Sequence, residues 1–243
     1  MDSGREDGPP AGDSGMVQVP FDAFFELQLR LPRLATLPPL DGSLRGWPAG
    51  ALLPDLTGLH GQRAFARVLA GWAVAGLALA FEVDAPPGPP RVDVRHPYRS
   101  DGVELWCDTR DARAARRLTR FCHHFLVLAG SGEPGGDTAW VRRFGQAEGA
   151  PPAEGPPAPD GPGGDPGPAP VGRVRLRPQG GYTLEVFLPR EALPGYAPLE
   201  SGSVALAYRL RSSRLGVQDL AFGERFPLWR NPGLWRSMRL EGS

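Results

Sequence analysis

The chain has 243 residues with 27 basic and 27 acidic side chains, so no net charge draws it toward nucleic acid or an anionic membrane. Its 33 glycines and 29 prolines make up about a quarter of the residues, a level typical of low-complexity chains, yet 41% of residues are hydrophobic and 9% aromatic. Both facts hold together if glycine and proline are concentrated in a few segments, leaving roughly 200 residues for one domain of ordinary size.

Residues 1–15, rich in Asp, Gly and Pro, read as a disordered tail, and 16–243 as a single domain. No apolar leader is visible at the start. The longest apolar run, Leu69 to Phe81, is 13 residues and too short to cross a bilayer. A soluble protein, cytoplasmic by default, is therefore expected, with no membrane and no nucleic-acid partner.

Phe25 to Leu31 alternates strictly, apolar at odd positions, as a half-buried strand does. Ala64 to Trp72 and Leu77 to Val83 read as a hairpin turning between Gly71 and Gly76. In it Leu77, Leu79, Phe81 and Val83 share one face, and the small Ala78 and Ala80 the other. Further strands are expected over Val103–Cys107, Phe121–Leu128, Val174–Arg177, Tyr182–Leu188, Val204–Arg211 and Leu234–Leu240. The helical candidates are short: Asp111 to Leu118, and one turn at Pro189 to Leu193. Residues 145–172 carry no aromatic and four acids, too little apolar area to offset the entropy of ordering, and read as a disordered Pro/Gly-rich loop within the domain. Many short strands with frequent turns predict an all-β, antiparallel two-sheet sandwich with one or two short helices.

All basic residues are arginine, isoleucine is absent, and asparagine occurs once, at Asn231. Lys, Ile and Asn share AT-rich codons, so the bias reads as a GC-rich genome, and arginine content alone is no functional signal. There is no G-x-S-x-G elbow, no H-E-x-x-H, no phosphate loop and no dinucleotide fingerprint, and the chain is expected not to be an enzyme. Cys107, Cys122, His123 and His124 are of zinc-ligating type, but their spacing is not that of a zinc site, and adjacent histidines on a strand point to opposite faces. Paired core thiols or a cross-strand disulfide fit the two cysteines better.

Three segments carry a resemblance. They are Pro97-Tyr98-Arg99-Ser100-Asp101-Gly102-Val103-Glu104-Leu105-Trp106-Cys107-Asp108, then Gly181-Tyr182-Thr183-Leu184-Glu185-Val186-Phe187-Leu188-Pro189, and Leu228-Trp229-Arg230-Asn231-Pro232. In order and spacing they resemble the family 9 carbohydrate-binding modules and the wider DOMON-like sandwich group, over roughly residues 40–240. Asp41-Gly42 with Trp47, and the Trp72 to Leu77 hairpin, are weaker echoes.

The resemblance implies a β-sandwich in which two aromatic rings clamp the end of a saccharide chain while polar side chains bond its hydroxyls. A pyranose has an apolar face that stacks on an aromatic plane and a rim of hydroxyls that need partners. By the same resemblance, Tyr98 and Trp229 fall at the clamp, Glu104 at an acceptor, and His123 and His124 near the polar positions of the next strand. Read from the residues alone, Tyr98 and Trp229 plug the sandwich or its rim, as most aromatics do, and Glu104 lies on a solvated strand face. The chain departs from the family pattern where Tyr stands for Trp at 98, where Cys-His-His fills the following strand, and before Trp229, where an asparagine-rich turn is missing. No cofactor is expected. Structural calcium, which the family often carries, has Asp101, Asp108 and Asp111 as candidate donors but is not predicted. The expected partner is a saccharide or glycan end. A scaffold for a protein partner is the alternative, and a haem-binding sandwich using His123 or His124 with Met238 ranks last.

Overall fold

The computed structural model describes residues 27–112, 117–131, 136–144, 169–220 and 226–243. Eleven strands form two sheets: β1 Gln28–Leu31, β2 Ala66–Ala73, β3 Gly76–Val83, β4 Gly102–Asp108, β5 Cys122–Leu128, β6 Trp140–Phe144, β7 Val171–Leu176, β8 Tyr182–Pro189, β9 Ser203–Ser212, β10 Gly216–Asp219 and β11 Arg236–Leu240. The larger sheet runs β1-β11-β9-β4-β5-β6, with β10 also paired to β9, and the smaller runs β2-β3-β8-β7. One four-residue α-helix, Pro198–Ser201, and several 3-10 turns complete the described elements.

The alternation read from the sequence sets the faces. In β8, Tyr182, Leu184, Val186 and Leu188 point to the core, and β3 answers with Leu77, Leu79, Phe81 and Val83. Against them the larger sheet sets Val103, Leu105 and Cys107 of β4, Phe125 and Val127 of β5, and Leu206, Tyr208 and Leu210 of β9, in one continuous core. β9 is ten residues long and carries β11 along its first half and β10 along its second. Unlike the other pairings between these strands, β1 joins β11 in parallel, which brings the two ends of the described chain side by side.

The small residues of the hairpin have a physical reason. The segment before β2 lies on the outer face of the smaller sheet, where Ala51, Leu69 and Ala80 pack with Leu44 and Trp47. Glu185 of β8 pins it, accepting from the Gly42 backbone N–H and the Trp47 indole N–H (3.2 Å). Both faces of β3 and β8 are therefore covered, and the echo at Asp41-Gly42 and Trp47 is a strap over the sheet.

Some sequence expectations fall elsewhere. Residues 1–15, and 145–168 of the expected loop, lie outside the described residues, but Val171 and Gly172 open β7. Residues 113–116 of the expected helix also lie outside them, and Asp111, its expected first residue, takes a left-handed φ of 49°. The one-turn expectation at Pro189 is met by the 3-10 turn Arg190–Ala192. Cys107 and Cys122 are free buried thiols, which corrects the disulfide alternative.

Candidate functional site

The registers place side chains in rows across the outer face of the larger sheet. Opposed residues share a face, so Ala207, Trp106, His124 and Phe144 make one row across β9, β4, β5 and β6. Asp219, Arg209, Glu104, Leu126 and Arg142 make the next, from β10 to β6.

The first row is a stack of rings. His124 lies between Trp106 (5.0 Å, 18°) and Phe144 (4.5 Å, 23°), the separations matching the spacing of neighbouring strands. Tyr98, from the 3-10 turn Pro97–Arg99, continues the stack over Phe144 at 6.3 Å, and with Val92 and Trp140 packs against the cluster of Leu126, Leu128 and Phe144. Tyr98, Glu104 and His124 thus gather on one face although three different segments supply them.

The second row is charged. Arg211 reaches diagonally to Glu104, donating from Nη2 (2.8 Å) and Nε (3.2 Å) to Oε1. His124 Nε2 lies 3.3 Å from Oε2, an ion-pair contact whose angles fall short of a hydrogen bond. Burial works to raise the Glu104 carboxyl, but His124 and Arg211 outweigh it and hold it below the usual range. Glu104 is buried, which corrects the solvated-face alternative. Beside it Arg209 and Asp219 form a bidentate pair, and Arg209 Nη2 also donates to Phe226 O (3.4 Å). The segment bearing Trp229 therefore approaches this face from the β9–β10 side, the side away from Tyr98.

Two expected residues lie differently. Trp229 is half-buried against the main core, with the guanidinium of Arg230 5.0 Å above its ring, so its described partner is an arginine and not Tyr98. His123 points inward, opposite Cys107, and its Nε2 donates to Pro194 O (3.0 Å). The period of the strand separates the tandem histidines, and only His124 shares the face of Glu104.

Burial foremost, with Arg143 adding in the same direction, lowers His123 to about 4. A histidine ordinarily titrates near 6.5, so between about 6.5 and 4 the unfolded chain takes up a proton that the folded one refuses. Its contribution is complete above that window and is lost as pH falls through it, on the order of 3 kcal/mol in all. Urea unfolding of wild type should show this acid limb, and His123→Leu should flatten it. An unchanged slope in the variant would assign the limb elsewhere.

The three aspartates considered for calcium do other work. Asp101 accepts from the Arg91 and Ser213 N–H groups, Asp108 from Arg110 and Ala112, and Asp111 from the Ser237 hydroxyl. Among the described residues no three His, Cys, Asp or Glu side chains group as they would around a metal ion. His123 and Met238 are buried on strands of the larger sheet that β4 and β9 separate, and His124 lies on the opposite face from His123. A separate polar cleft of about 480 Å³ lies beside Pro194, lined by Arg110, Arg190, Glu191, Tyr196 and Glu200. It takes no residue from the two rows.

Arg211, Arg209, Asp219 and Phe144 were not among the expected site residues. Arg209 and Arg211 sat legibly at alternate positions of an expected strand. Phe144 ends a strand whose tandem arginines, Arg142 and Arg143, break the apolar alternation that marks such elements.

No protein-family model and no curated protein matches the chain. Among solved structures it is similar to a family 9 carbohydrate-binding module from Caldicellulosiruptor kristjanssonii in complex with cellotriose. That match has a TM-score of 0.60 and 16% identity, covering 89% of this chain and 95% of the other. It is also similar to such a module from the same organism in complex with glucose, with a TM-score of 0.57, 16% identity, and coverage of 89% and 96%. The fold is that of a family 9 carbohydrate-binding-module-like sandwich.

Proposed function

We propose that the chain is a non-catalytic saccharide-binding module whose site is the outer face of the larger sheet. The observation that carries the reading is the gathering of Tyr98, Glu104 and His124 on that face of a fold shared with solved modules that are in complex with cellotriose and with glucose. Glu104 serves as the hydroxyl acceptor, kept ionised by Arg211 and His124 and turned by them into one orientation. Tyr98 offers the ring surface at the β5–β6 side and Trp229 that of the segment arriving from β9–β10. His124, packed between two rings, supplies the second polar contact, the role for which either tandem histidine was eligible by sequence.

Isothermal titration with cellotriose and a panel of other saccharides tests the reading. Glu104→Gln keeps the shape but gives up a charged acceptor, for which a loss of roughly ten- to a hundredfold is expected. Trp229→Ala removes one stacking surface, for which a loss of about two- to tenfold is expected. Saccharide affinity that ignores both substitutions in folded protein would move the site off this face.

A further inference from the structure

The guanidinium groups on and around the proposed face divide into two kinds. Where a carboxylate is within reach, an arginine takes it: Arg209 holds Asp219 and Arg211 holds Glu104, while on the smaller sheet Arg67 holds Glu82 and Arg177 reaches both Glu82 and Asp84. Arg142 and Arg230 behave otherwise. Arg142 lies 5.1 Å over the Phe144 ring and Arg230 5.0 Å over Trp229, and neither has a carboxylate partner among the described residues.

Position gives the difference meaning. Arg142 belongs to the same row as Glu104, two strands away with Leu126 between them, a separation of about 10 Å. A saccharide touching both would cross β4 to β6 over Leu126, alongside the row of Trp106, His124 and Phe144. A cation lying on a ring also occupies the surface that a neutral sugar needs for stacking, and lifting it forfeits a contact of about 0.5–2 kcal/mol. A ligand bearing an anion loses nothing there, because the guanidinium that covers the ring becomes its partner, and the planar fork grips a carboxylate or sulfate with two parallel bonds. Arg143, next on β6, pairs with Phe125 and shares its inward face, where its charge reaches His123, so Arg142 is the β6 arginine that belongs to the outer face.

We infer that the ligand is an acidic saccharide, whose carboxylate or sulfate is held by Arg142, with Arg230 a second anchor at Trp229. This rests on the saccharide reading above and narrows its substrate class.

The test is calorimetric titration of the whole chain with cellotriose, sulfated cellotriose and trigalacturonate at about 0.05 and about 0.5 M salt. At least one acidic saccharide should bind about tenfold or more tightly than cellotriose at low salt, and the gap should narrow at high salt as the exposed charges are screened. Arg142→Gln, a substitution on a half-exposed edge strand whose folding circular dichroism checks, should close most of the gap. Cellotriose binding as well as or better than both acidic ligands overturns the inference and leaves the saccharide reading standing. A gap that survives Arg142→Gln in folded protein overturns the assignment to Arg142. Binding of none of the three removes the saccharide reading and this inference with it.

Discussion

Asp219→Ala should lower the free energy of unfolding by about 3–5 kcal/mol, the range for removing one partner of a buried ion pair. The side chains of Arg209 and Asp219 are 7% and 1% exposed, and the two groups meet through Nε–Oδ1 at 2.9 Å and Nη2–Oδ2 at 3.1 Å. The alanine variant withdraws both bonds from a guanidinium that water scarcely reaches. Replacing both groups, as in Arg209→Met with Asp219→Leu, removes the desolvation along with the attraction and should recover most of the loss. Burial raises the Asp219 carboxyl against the pull of Arg209. A carboxyl raised in the folded state holds its proton more tightly there than in the unfolded chain. Its contribution is therefore largest at low pH and declines as pH rises above the ordinary value of about 4. Urea unfolding at several pH values checks both parts. A loss below about 1 kcal/mol for Asp219→Ala would show that the pair does not fasten β10 to β9.

Trp106→Ala is the second large effect, a destabilisation of about 3–5 kcal/mol. The indole is 1% exposed at the β4 end of the ring stack, facing His124 on one side and Ala207 on the other, where the small methyl leaves it room. Its Nε1–H is buried with no hydrogen-bond partner among the described residues. Trp106→Phe keeps a ring beside His124 and removes that unmet donor, so it should cost under about 2 kcal/mol. Saccharide affinity should follow the same order, because the stack fixes His124 beside Glu104. Denaturation midpoints of the two variants give the comparison. Equal losses for Ala and Phe would mean that volume and stacking at this position do not hold the face together.

The sequence showed the fold through its alternation. Tyr182 to Leu188 and Val103 to Cys107 announced their faces, and both lie in the strands where expected. β10 escaped notice because four residues give too few periods to read, and β6 because Arg142 and Arg143 interrupt it. The parallel joining of β1 to β11 is a pairing across nearly the whole chain, on which local pattern is silent. For the site, the strand period could say that one of His123 and His124 faced Glu104, but not which. That depended on the pairing of β4 with β5, which sets His124 beside Trp106 and His123 beside Cys107. The capture of Glu104 by Arg211, 107 residues further along the chain, is likewise a product of tertiary register. So is the place of Trp229, which the family resemblance had paired with Tyr98 in a clamp.

The most direct test of the central claim is where a saccharide lands. Amide chemical shifts of the isotope-labelled chain, followed as cellotriose and its sulfated form are added, report this residue by residue. The outer face of the larger sheet predicts the largest changes at Tyr98, Glu104, His124 and Phe144, with a second group around Trp229. Changes confined to the cleft around Arg110, Arg190 and Glu200, or none at saturating saccharide, would contradict it.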